Sequence, residues 1–482
     1  MSITQRAFKQ GSWLAFFKFI TQVFSWATTI IVARLLIPED YGLMDMATVL
    51  TGYAALLGEL GLGAAVIQRP NTTQENLSSV FWFTFIIGFF FVGVCFLFAY
   101  PTAWVFDEPR VIPLTQSVSV IFILNALAIV PLNLLKKKLN FKKVGFIEMT
   151  AALISCAGML VIAYAGGGVW TLLLGHIIRS LARLLLVFYV QQWSPKFYFN
   201  FKEVKSYLKF GIVVALGRTF RYLFEKSDRF FAGITWAAGT LGLYSFAIIL
   251  AKIPTEKILS LIMQVSYSAF AELQNDRAGF NNFYLNINKI IAMIVLPLFV
   301  GGFLAGEELI KVFLDDKWTP IIFLFKMLCL SQIFVALTAV NNHVHNAQGR
   351  PGWSMRYNGI CAIIMAVCFY FAVQYGLNAI VIPWLTVFPF LCVAFIAVTL
   401  LKIKVGVKAY LKTLSLPVSA TAFMAAAVLS TEEALLFYPG VLTSNLTMLV
   451  AKIGIGGLSY IGFLVVFDRE FMHKSYRLLV TG

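Results

Sequence analysis

Charged side chains are scarce in this chain. Asp, Glu, Lys and Arg make up 12% of the 482 residues, and hydrophobic residues make up 60%. A soluble domain carries about 25% charged residues, so too little polar surface is available here for a water-soluble fold. Polar segments long enough for a separate domain, which needs at least about 50 residues, are also lacking. Their absence argues against a membrane glycosyltransferase or polymerase.

Cysteine and histidine give no sign of a metal or redox site. The six Cys all fall inside apolar runs, without CxxC or metal-ligand spacing, and the four His are scattered. We interpret the cysteines as packing thiols. The sequence therefore predicts no metal and no cofactor.

Acidic residues are outnumbered, with 22 Asp and Glu against 38 Lys and Arg. The basic residues lie mostly in short segments between apolar runs, which is typical of membrane orientation and not of nucleic-acid binding. We predict an all-α polytopic membrane protein with about fourteen spans, each near the roughly 20 residues that cross lipid. The predicted spans are 11–36, 42–66, 79–101, 111–135, 144–165, 169–190, 207–235, 241–270, 287–306, 321–343, 355–375, 378–400, 412–429 and 446–467. The first is interpreted as a retained span and not a cleaved signal peptide.

The charges of the connecting segments predict the orientation. Segments on one side are rich in Lys and Arg, as in Lys136–Lys143, 196–205, 402–408 and the tail after Phe467. Segments on the other side are richer in acids, as at Glu39/Asp40 and Asp107/Glu108. By the positive-inside rule both termini are cytoplasmic. We interpret the outward pairs Glu307/Glu308 and Asp315/Asp316 as solvated loop charges.

A weak internal repeat relates residues 9–50 to 209–250 without gaps. Eight positions are identical, among them Gly42 and Gly242, and Lys18 stands opposite Arg218. Equivalent spans enter from the same side, so the repeat is parallel, as in the halves of several transporters. It predicts a six-helix lobe over 1–190, a basic cytoplasmic linker over 191–206, a second six-helix lobe over 207–400, and two further helices with a cytoplasmic tail over 401–482.

Several predicted spans carry charges, which lipid tolerates only near a partner or water. Five charged residues of 207–235 form one stripe within an arc of about 100° at helical spacing. Arg218 lies about 16 Å past the start of its span, and Lys18 has the same depth by the repeat. The stripe residues are Arg218, Arg221, Glu225, Asp228 and Arg229; elsewhere the charges are Lys18, Glu59, Arg179, Arg183 and Lys252.

Two interpretations of these charges stand side by side. In the first they pair internally, Glu225 with Arg221 or Arg229, and Arg183 snorkels to the cytoplasmic edge. In the second they line a cavity with surplus positive charge that suits a diphosphate or acidic sugar. We predict substrate binding by Lys18, Arg218, Arg221, Lys252 and Arg179. We predict gating or ion coupling by Glu59, Glu225, Asp228 and Arg229.

Several segments resemble a known family. VARLLIPEDYGLMDMATVL (32–50), LGELGLGAAVIQRP (57–70) and LSSVFWFTFIIG (77–88) are similar to the first spans of Wzx-type flippases. These belong to the multidrug/oligosaccharidyl-lipid/polysaccharide exporter superfamily. Residues 227–254, 317–330 and 345–353 resemble later segments, and the likeness extends over roughly 5–400, closest to the colanic-acid-like and succinoglycan-like branch. The last two spans match little.

The resemblance implies two six-helix lobes in a V and alternating access. It implies an undecaprenyl-diphosphate-linked oligosaccharide as cargo, transport towards the periplasmic leaflet, and a place beside polysaccharide polymerase machinery in the bacterial inner membrane. Some relatives use ion gradients, so a proton or sodium stays open as a coupling ion. The alternatives are a peptidoglycan-precursor flippase, a drug or cation antiporter of the same superfamily, and a membrane enzyme that uses a lipid-linked sugar.

Overall fold

The protein is built from α-helices. The computed structural model describes residues 3–58, 62–68, 72–436 and 444–468, and within these ranges it contains helices and short turns but no β-strand. Apolar runs in lipid become helices because a helix satisfies its backbone hydrogen bonds within one segment. The predicted all-α class is confirmed. The chain divides into two compact units, the first ending at Ser245 and the second beginning at Phe246.

The first unit contains nine helices and the start of a tenth. They are α1 (Ile3–Leu35), α2 (Pro38–Gly58), α3 (Leu62–Gln68), α4 (Gln74–Phe106), α5 (Val111–Val118), α6 (Val120–Lys137), α7 (Phe141–Tyr164), α8 (Val169–Gln191) and α9 (Phe201–Thr235). Within this unit α7 packs between α1 and α8, and α4 packs against α6. The short helix α2 contacts α4, α5, α8 and α9, so its side chains face protein on several sides.

The second unit continues from α10 to the end of the chain. Its helices are α10 (Ala238–Glu272), α11 (Arg277–Leu304), α12 (Gly306–Phe313), α13 (Ile321–Ala347), α14 (Pro351–Ala372), α15 (Ile382–Leu385), α16 (Val387–Ile403), α17 (Val407–Leu436) and α18 (Asn445–Phe467). Helix α11 packs against α13 and α17, and α18 packs against α17 and the short helix α12. The last two helices are thus part of the packed unit.

Twelve helical segments in the described ranges are long and apolar enough to cross a membrane. The count of about fourteen is therefore approximate. The other two predicted spans, 42–66 and 207–235, fall outside the twelve. The described residues of the first belong to α2 and α3, and the second lies within α9, which carries the stripe of charges.

The helix boundaries repeat at a spacing of 200 residues around the glycine pair found in the sequence. Helices α1 and α9 end at Leu35 and Thr235, and α2 and α10 begin at Pro38 and Ala238. A Cβ on Gly42 would overlap the carbonyl oxygen of Ala238, and a Cβ on Gly242 would overlap that of Pro38. The two contacts are equivalent under the repeat. Glycine is needed at both positions because the backbones approach too closely for any side chain.

The segment before α9 is shorter than the predicted linker 191–206. Residues 192–200 are non-helical, and α9 begins at Phe201 because the Asn200 side chain accepts a hydrogen bond from the backbone N–H of Lys202. This segment lies along the start of α4. Trp82 Nε1 donates to the carbonyl of Lys196 at 2.8 Å, and the Trp82 and Phe197 rings stack. The lobe boundaries remain a prediction.

Candidate functional site

The charged stripe of α9 divides into a buried half and an exposed half. Asp228 is completely buried and Arg229 is 8% exposed, whereas Arg218 and Arg221 are exposed. Residues on one face of α9 therefore have different environments, because α2 covers only part of α9.

The buried half joins α9 to α2. Arg229 Nη1 lies 3.3 Å from Asp45 Oδ1, and Lys226 Nζ lies 3.8 Å from the same oxygen. Asp228 Oδ2 accepts a hydrogen bond of 2.6 Å from the Tyr244 hydroxyl at the start of α10. We call Asp45, Lys226, Asp228 and Arg229 the α2–α9 charge cluster. It contains two cations and two anions, so its formal charge is zero.

A tyrosine next to the α2–α9 charge cluster fixes the same contact. Tyr222 Oη donates to the carbonyl of Val49 at 2.5 Å, in the middle of α2. A Cβ on Gly52 would overlap the Tyr222 hydroxyl, so the glycine leaves room for the ring. Helix α2 is thus attached to α9 by a hydrogen bond, an ion pair and close packing.

The exposed half of the stripe contains a local ion pair. Arg221 Nε lies 2.7 Å from Glu225 Oε1, one helical turn away, and both side chains are more than two-fifths exposed. This is one of the two pairings that the sequence left open for Glu225. Arg218 is exposed one turn before Arg221, and Lys18 of α1 is exposed as well. The roles of Lys18, Arg218, Arg221 and Glu225 in binding or gating stay predictions.

Two arginines of α8 share one carboxylate of α7. Arg183 Nε lies 3.0 Å from Glu148 Oε1, and Arg179 Nη2 lies 3.9 Å from Glu148 Oε2. Glu148, on the neighbouring helix, lies within hydrogen-bonding distance of Arg183. The expectation that Arg183 snorkels to the membrane edge stays a prediction. The Arg179 side chain keeps 41% exposure, so its predicted contact with substrate stays open.

Two predicted site residues stand apart from these groups. Lys252 lies in α10 of the second unit and is half-buried. Glu59 lies outside the described residues. Among the residues that are described, no group of three or more His, Cys, Asp or Glu side chains is placed to hold a metal ion.

A second charge cluster lies in the second unit. Lys452 of α18 donates to Glu308 Oε1 at 2.7 Å and to the carbonyl of Leu304 at 3.1 Å, and its Nζ is 3.2 Å from Glu432 Oε2. We call Glu308, Lys452 and Glu432 the α12–α18 charge cluster. Its formal charge is −1. The expectation that Glu308 is a solvated loop charge is wrong: the residue is 8% exposed because α18 packs over α12.

An apolar cavity of about 510 Å³ borders the α12–α18 charge cluster. Lys452 contributes to its wall, together with apolar residues of α11, α17 and α18. Tyr460 of α18 also lines it and donates to the carbonyl of Met293 at 2.7 Å, which ties α18 to α11. Lys452 is therefore held at the edge of an apolar space by its three oxygen partners.

Charges in the segments between the long apolar helices form exposed pairs. Arg110 bridges Glu108 and Glu39 at 2.8 Å and 2.6 Å, and its hydrogen bond lowers the pKa of Glu108. Lys311 binds Glu307 at 2.6 Å, and this hydrogen bond lowers the pKa of Glu307. Glu307 and Glu308 are neighbours in sequence, yet one is half-exposed and the other buried.

Basic residues predicted to be cytoplasmic line a second cavity, of about 680 Å³, in the first unit. Lys137, the last residue of α6, and Lys138 lie there beside Gln191 and Trp193. Lys137 Nζ donates to the Thr72 hydroxyl at 3.0 Å.

Sequence reasoning left Lys226 outside the stripe of charges, and it missed Asp45 and Lys452. Each of the last two is a charged residue inside a predicted apolar span, 42–66 or 446–467, so the rule applied to Arg218 would have identified both.

Long apolar helices with charges between and within them define a polytopic membrane protein. The fold matches that of a solved flippase, described as lipid II flippase MurJ in an inward closed conformation. The TM-score is 0.77 at 15% identity, over 95% of this chain and 99% of that one.

The particular family follows from the sequence. A family model described as polysaccharide biosynthesis protein matches residues 31–323, more than half of the chain, and the protein belongs to this family. It is 24% identical to the lipopolysaccharide biosynthesis protein WzxC of Escherichia coli (strain K12), over 74% of this chain and 73% of that one. It is also 24% identical to the succinoglycan biosynthesis transport protein ExoT of Rhizobium meliloti (strain 1021), over 60% of this chain and 59% of that one. The predicted family and the transporter class are confirmed.

Proposed function

We propose that this protein is a flippase for undecaprenyl-diphosphate-linked oligosaccharide repeat units in surface polysaccharide biosynthesis. It would move the cargo from the cytoplasmic to the periplasmic leaflet of a bacterial inner membrane by alternating access. The observation that carries the proposal is the family match over residues 31–323. ExoT, one of the relatives, is named as a transport protein of succinoglycan biosynthesis.

The charge of the proposed cargo suits the exposed cations of the first unit. A diphosphate is an anion, and Arg side chains bind phosphate oxygens through a planar fork of donors. Arg218, Arg221 and Lys18 are exposed on helices of a membrane protein. We therefore assign these three residues, with Arg179 and Lys252, to cargo binding.

We assign gating to Glu225, Asp228 and Arg229. Asp228 and Arg229 join α9 to α10 and α2 through the α2–α9 charge cluster, whereas Glu225 pairs with Arg221 within α9. A change of access requires helices to move, and such a movement would break the contacts of Asp228 and Arg229. Glu59 is included from the sequence alone.

The proposed orientation places both termini in the cytoplasm. Lys136–Lys143 would face the cytoplasm, and 306–320 and 430–445 the periplasm. Single cysteines introduced at these sites should react with an impermeant reagent in intact cells only at 306–320 and 430–445. Labelling at 137–142 would contradict the orientation.

The function is tested by deletion in the native host. We expect surface polysaccharide to disappear and the lipid-linked precursor to accumulate on the cytoplasmic side. An intact copy should restore both. Unchanged polysaccharide together with increased drug sensitivity would instead identify a drug antiporter, and unchanged precursor level and sidedness would reject the flippase. Partnership with a polymerase would appear as co-purification from membranes of the same cells.

A second function, the flipping of peptidoglycan precursors, is favoured by the TM-score of 0.77 with lipid II flippase MurJ. The deciding experiment expresses this chain in cells depleted of their lipid II flippase. Growth would support the second function, and lysis with normal membrane abundance of the chain would reject it.

A further inference from the structure

The ends of three long apolar helices meet at the cavity of about 680 Å³ in the first unit. Helix α4 begins at Gln74, α6 ends at Lys137 and α8 ends at Gln191, and each belongs to a segment long and apolar enough to cross a membrane. The residues that line the cavity fall within 72–77, 134–138 and 191–193. The cavity therefore lies where three apolar segments stop, at one boundary between lipid and water.

The charged side chains in the wall of this cavity are cations. Lys137 and Lys138 line it, and no Asp or Glu belongs to its wall as far as the structure describes the chain. Lys137 Nζ donates to the Thr72 hydroxyl at 3.0 Å, which holds the ammonium at the wall, and Lys138 is exposed. The sequence around these lysines also lacks acids, with no Asp or Glu in residues 109–147. An anion in the cavity would therefore meet two ammonium groups and no carboxylate of the wall.

The segment between α8 and α9 forms another part of the cavity wall and is fixed to α4. Trp193, which lines the cavity, donates from Nε1 to Gln74 Oε1 at 2.9 Å, and Gln74 Nε2 donates to the carbonyl of Ser194 at 2.7 Å. Further along, the backbone N–H of Lys196 donates to the Ser78 hydroxyl at 3.0 Å. These hydrogen bonds hold the segment in one place along the start of α4.

The same segment presents exposed aromatic rings next to the cavity wall. Phe197 is 98% exposed, although its ring stacks on Trp82 of α4, and Phe199 is exposed as well. Between the rings and Trp193, Lys196 pairs with Glu75 at 3.3 Å. Exposed rings at the ends of apolar helices are typical of the lipid headgroup region. Apolar rings beside cations are typical of a protein surface that contacts an anionic lipid.

We propose that this cavity binds the headgroup of an anionic phospholipid, with its phosphate held by Lys137 and Lys138 and with Phe197 in the adjoining lipid. A zwitterionic headgroup fits less well, because its own ammonium would lie close to two lysines of like charge. Free phosphate would use the lysines and leave the exposed rings without a partner. Under the proposed orientation the lipid belongs to the cytoplasmic leaflet, whose surface is negatively charged.

The experiment measures lipid binding to the purified full-length protein by mass spectrometry of the intact complex. Phosphatidylglycerol is the anionic probe, and phosphatidylcholine with the same acyl chains is the zwitterionic one. We expect wild type to retain one phosphatidylglycerol under conditions in which it retains no phosphatidylcholine. Lys137→Gln and Lys138→Gln should each weaken the binding of phosphatidylglycerol about fivefold, and the double variant about 25-fold, as expected for lysines that meet an anionic headgroup.

Two further double variants separate the cavity from the general positive charge of this region. Lys142→Gln with Lys143→Gln removes two cations that lie outside the cavity wall, and because such charges are screened by salt the affinity should change by less than about twofold. Lys137→Arg with Lys138→Arg keeps both charges and should keep the binding. Phe197→Ser changes an exposed side chain and should weaken the binding, because the ring no longer contacts lipid.

The unfolding midpoint gives a second measurement on the same proteins. A ligand that binds only the folded state stabilises it, so phosphatidylglycerol should raise the midpoint of wild type more than that of Lys137→Gln with Lys138→Gln. The proposal is overturned if the two lipids bind equally, if the Lys142/Lys143 control loses as much affinity as the cavity variant, or if Phe197→Ser binds normally. Displacement of the lipid by excess inorganic phosphate would identify a site for the free anion and also overturn it. No cargo enters these measurements, so this site and the proposed function can fail separately.

Discussion

The two charge clusters differ in how completely their positive and negative side chains balance. The α2–α9 charge cluster of the first unit is balanced, with Arg229 and Lys226 against Asp45 and Asp228. The α12–α18 charge cluster of the second unit has one cation, Lys452, against two acids. The first cluster therefore has a formal charge of zero and the second a formal charge of −1, and the single cation of the second is shared by two carboxylates.

Burial also differs among the members of the two clusters. In the first, Asp228 has no exposure and Arg229 has 8%, whereas the Lys226 side chain keeps 24%. Glu432 in the second cluster is 39% exposed. Removing one member of a buried ion pair leaves the other charge without a partner. This loss destabilises the fold by far more than the intact pair stabilises it. Four substitutions test the contrast, from the largest expected effect on stability to the smallest.

Arg229→Ala should destabilise the protein most. The change leaves Asp45 with only the more distant Lys226, and a broken buried pair costs about 3–5 kcal/mol. The measurement is the midpoint of thermal unfolding of the purified protein, together with its abundance in membranes. Arg229→Met combined with Asp45→Asn removes both charges and should recover part of the loss. A normal midpoint for Arg229→Ala alone would show that the cluster does not hold α9 to α2.

Lys452→Met should have a smaller effect. Without the ammonium, the buried Glu308 loses its cation partner, and the cost is at the lower end of that for broken buried pairs, about 3 kcal/mol. Glu432 is 39% exposed, so water can take the place of the ammonium there. Lys452→Met combined with Glu308→Gln removes both charges and should recover part of the loss. The midpoint of thermal unfolding gives the result, and a normal midpoint for Lys452→Met alone would show that Lys452 does not hold α18 to α12.

Gly242→Ala tests the backbone contact beside the first cluster. The new Cβ would overlap the carbonyl oxygen of Pro38, and overpacking of this kind costs about 1–3 kcal/mol. Gly239→Ala is the matched control on the same helix, because a Cβ there meets nothing within 4 Å. We expect a lower unfolding midpoint for Gly242→Ala, and an unchanged or slightly higher one for Gly239→Ala. Equal midpoints would mean that α2 and α10 can separate without loss.

The positions of the clusters show what could be predicted from the sequence and what could not. Apolar runs and loop charges predicted the helical membrane fold, because lipid imposes those features on each segment separately. The burial of Glu308 depends on Lys452, which lies 144 residues away along the chain. The local sequence pattern predicted a polar loop at Glu308, whereas the packing of α18 over α12 buries this residue. The rule that identified Arg218, a charged residue inside an apolar span, applies equally to Asp45 and Lys452.

The helix breaks were harder to predict than the helices. The run 111–135 was predicted as one span and lies in one apolar segment, Val111–Lys137, but within it α5 ends at Val118 and α6 begins at Val120. Hydropathy is continuous across this point and carries no information on the break. Helix α1 ends at Leu35 and α2 begins at Pro38, within a few residues of the predicted bounds 36 and 42.

Arg218→Ala should change stability least and transport most. Arg218 is exposed on α9, as is its neighbour Arg221, whose pair with Glu225 is of the kind that contributes about 0.3–0.5 kcal/mol. Neither residue belongs to the α2–α9 charge cluster, which lies two turns further along α9. We therefore expect Arg218→Ala and Arg221→Ala to reach normal abundance with unfolding midpoints near that of wild type.

Transport should nevertheless fall sharply in Arg218→Ala if the exposed arginines bind an anionic cargo. Restoration of surface polysaccharide in the deletion strain measures transport, and membrane abundance is measured in the same cells. Arg218→Lys should restore export in part, because the charge returns without the planar fork of donors. Arg218→Glu should not restore it, because like charges repel. Export and abundance that fall together would make Arg218 a structural residue like Arg229, and normal export at normal abundance would remove Arg218 from the mechanism.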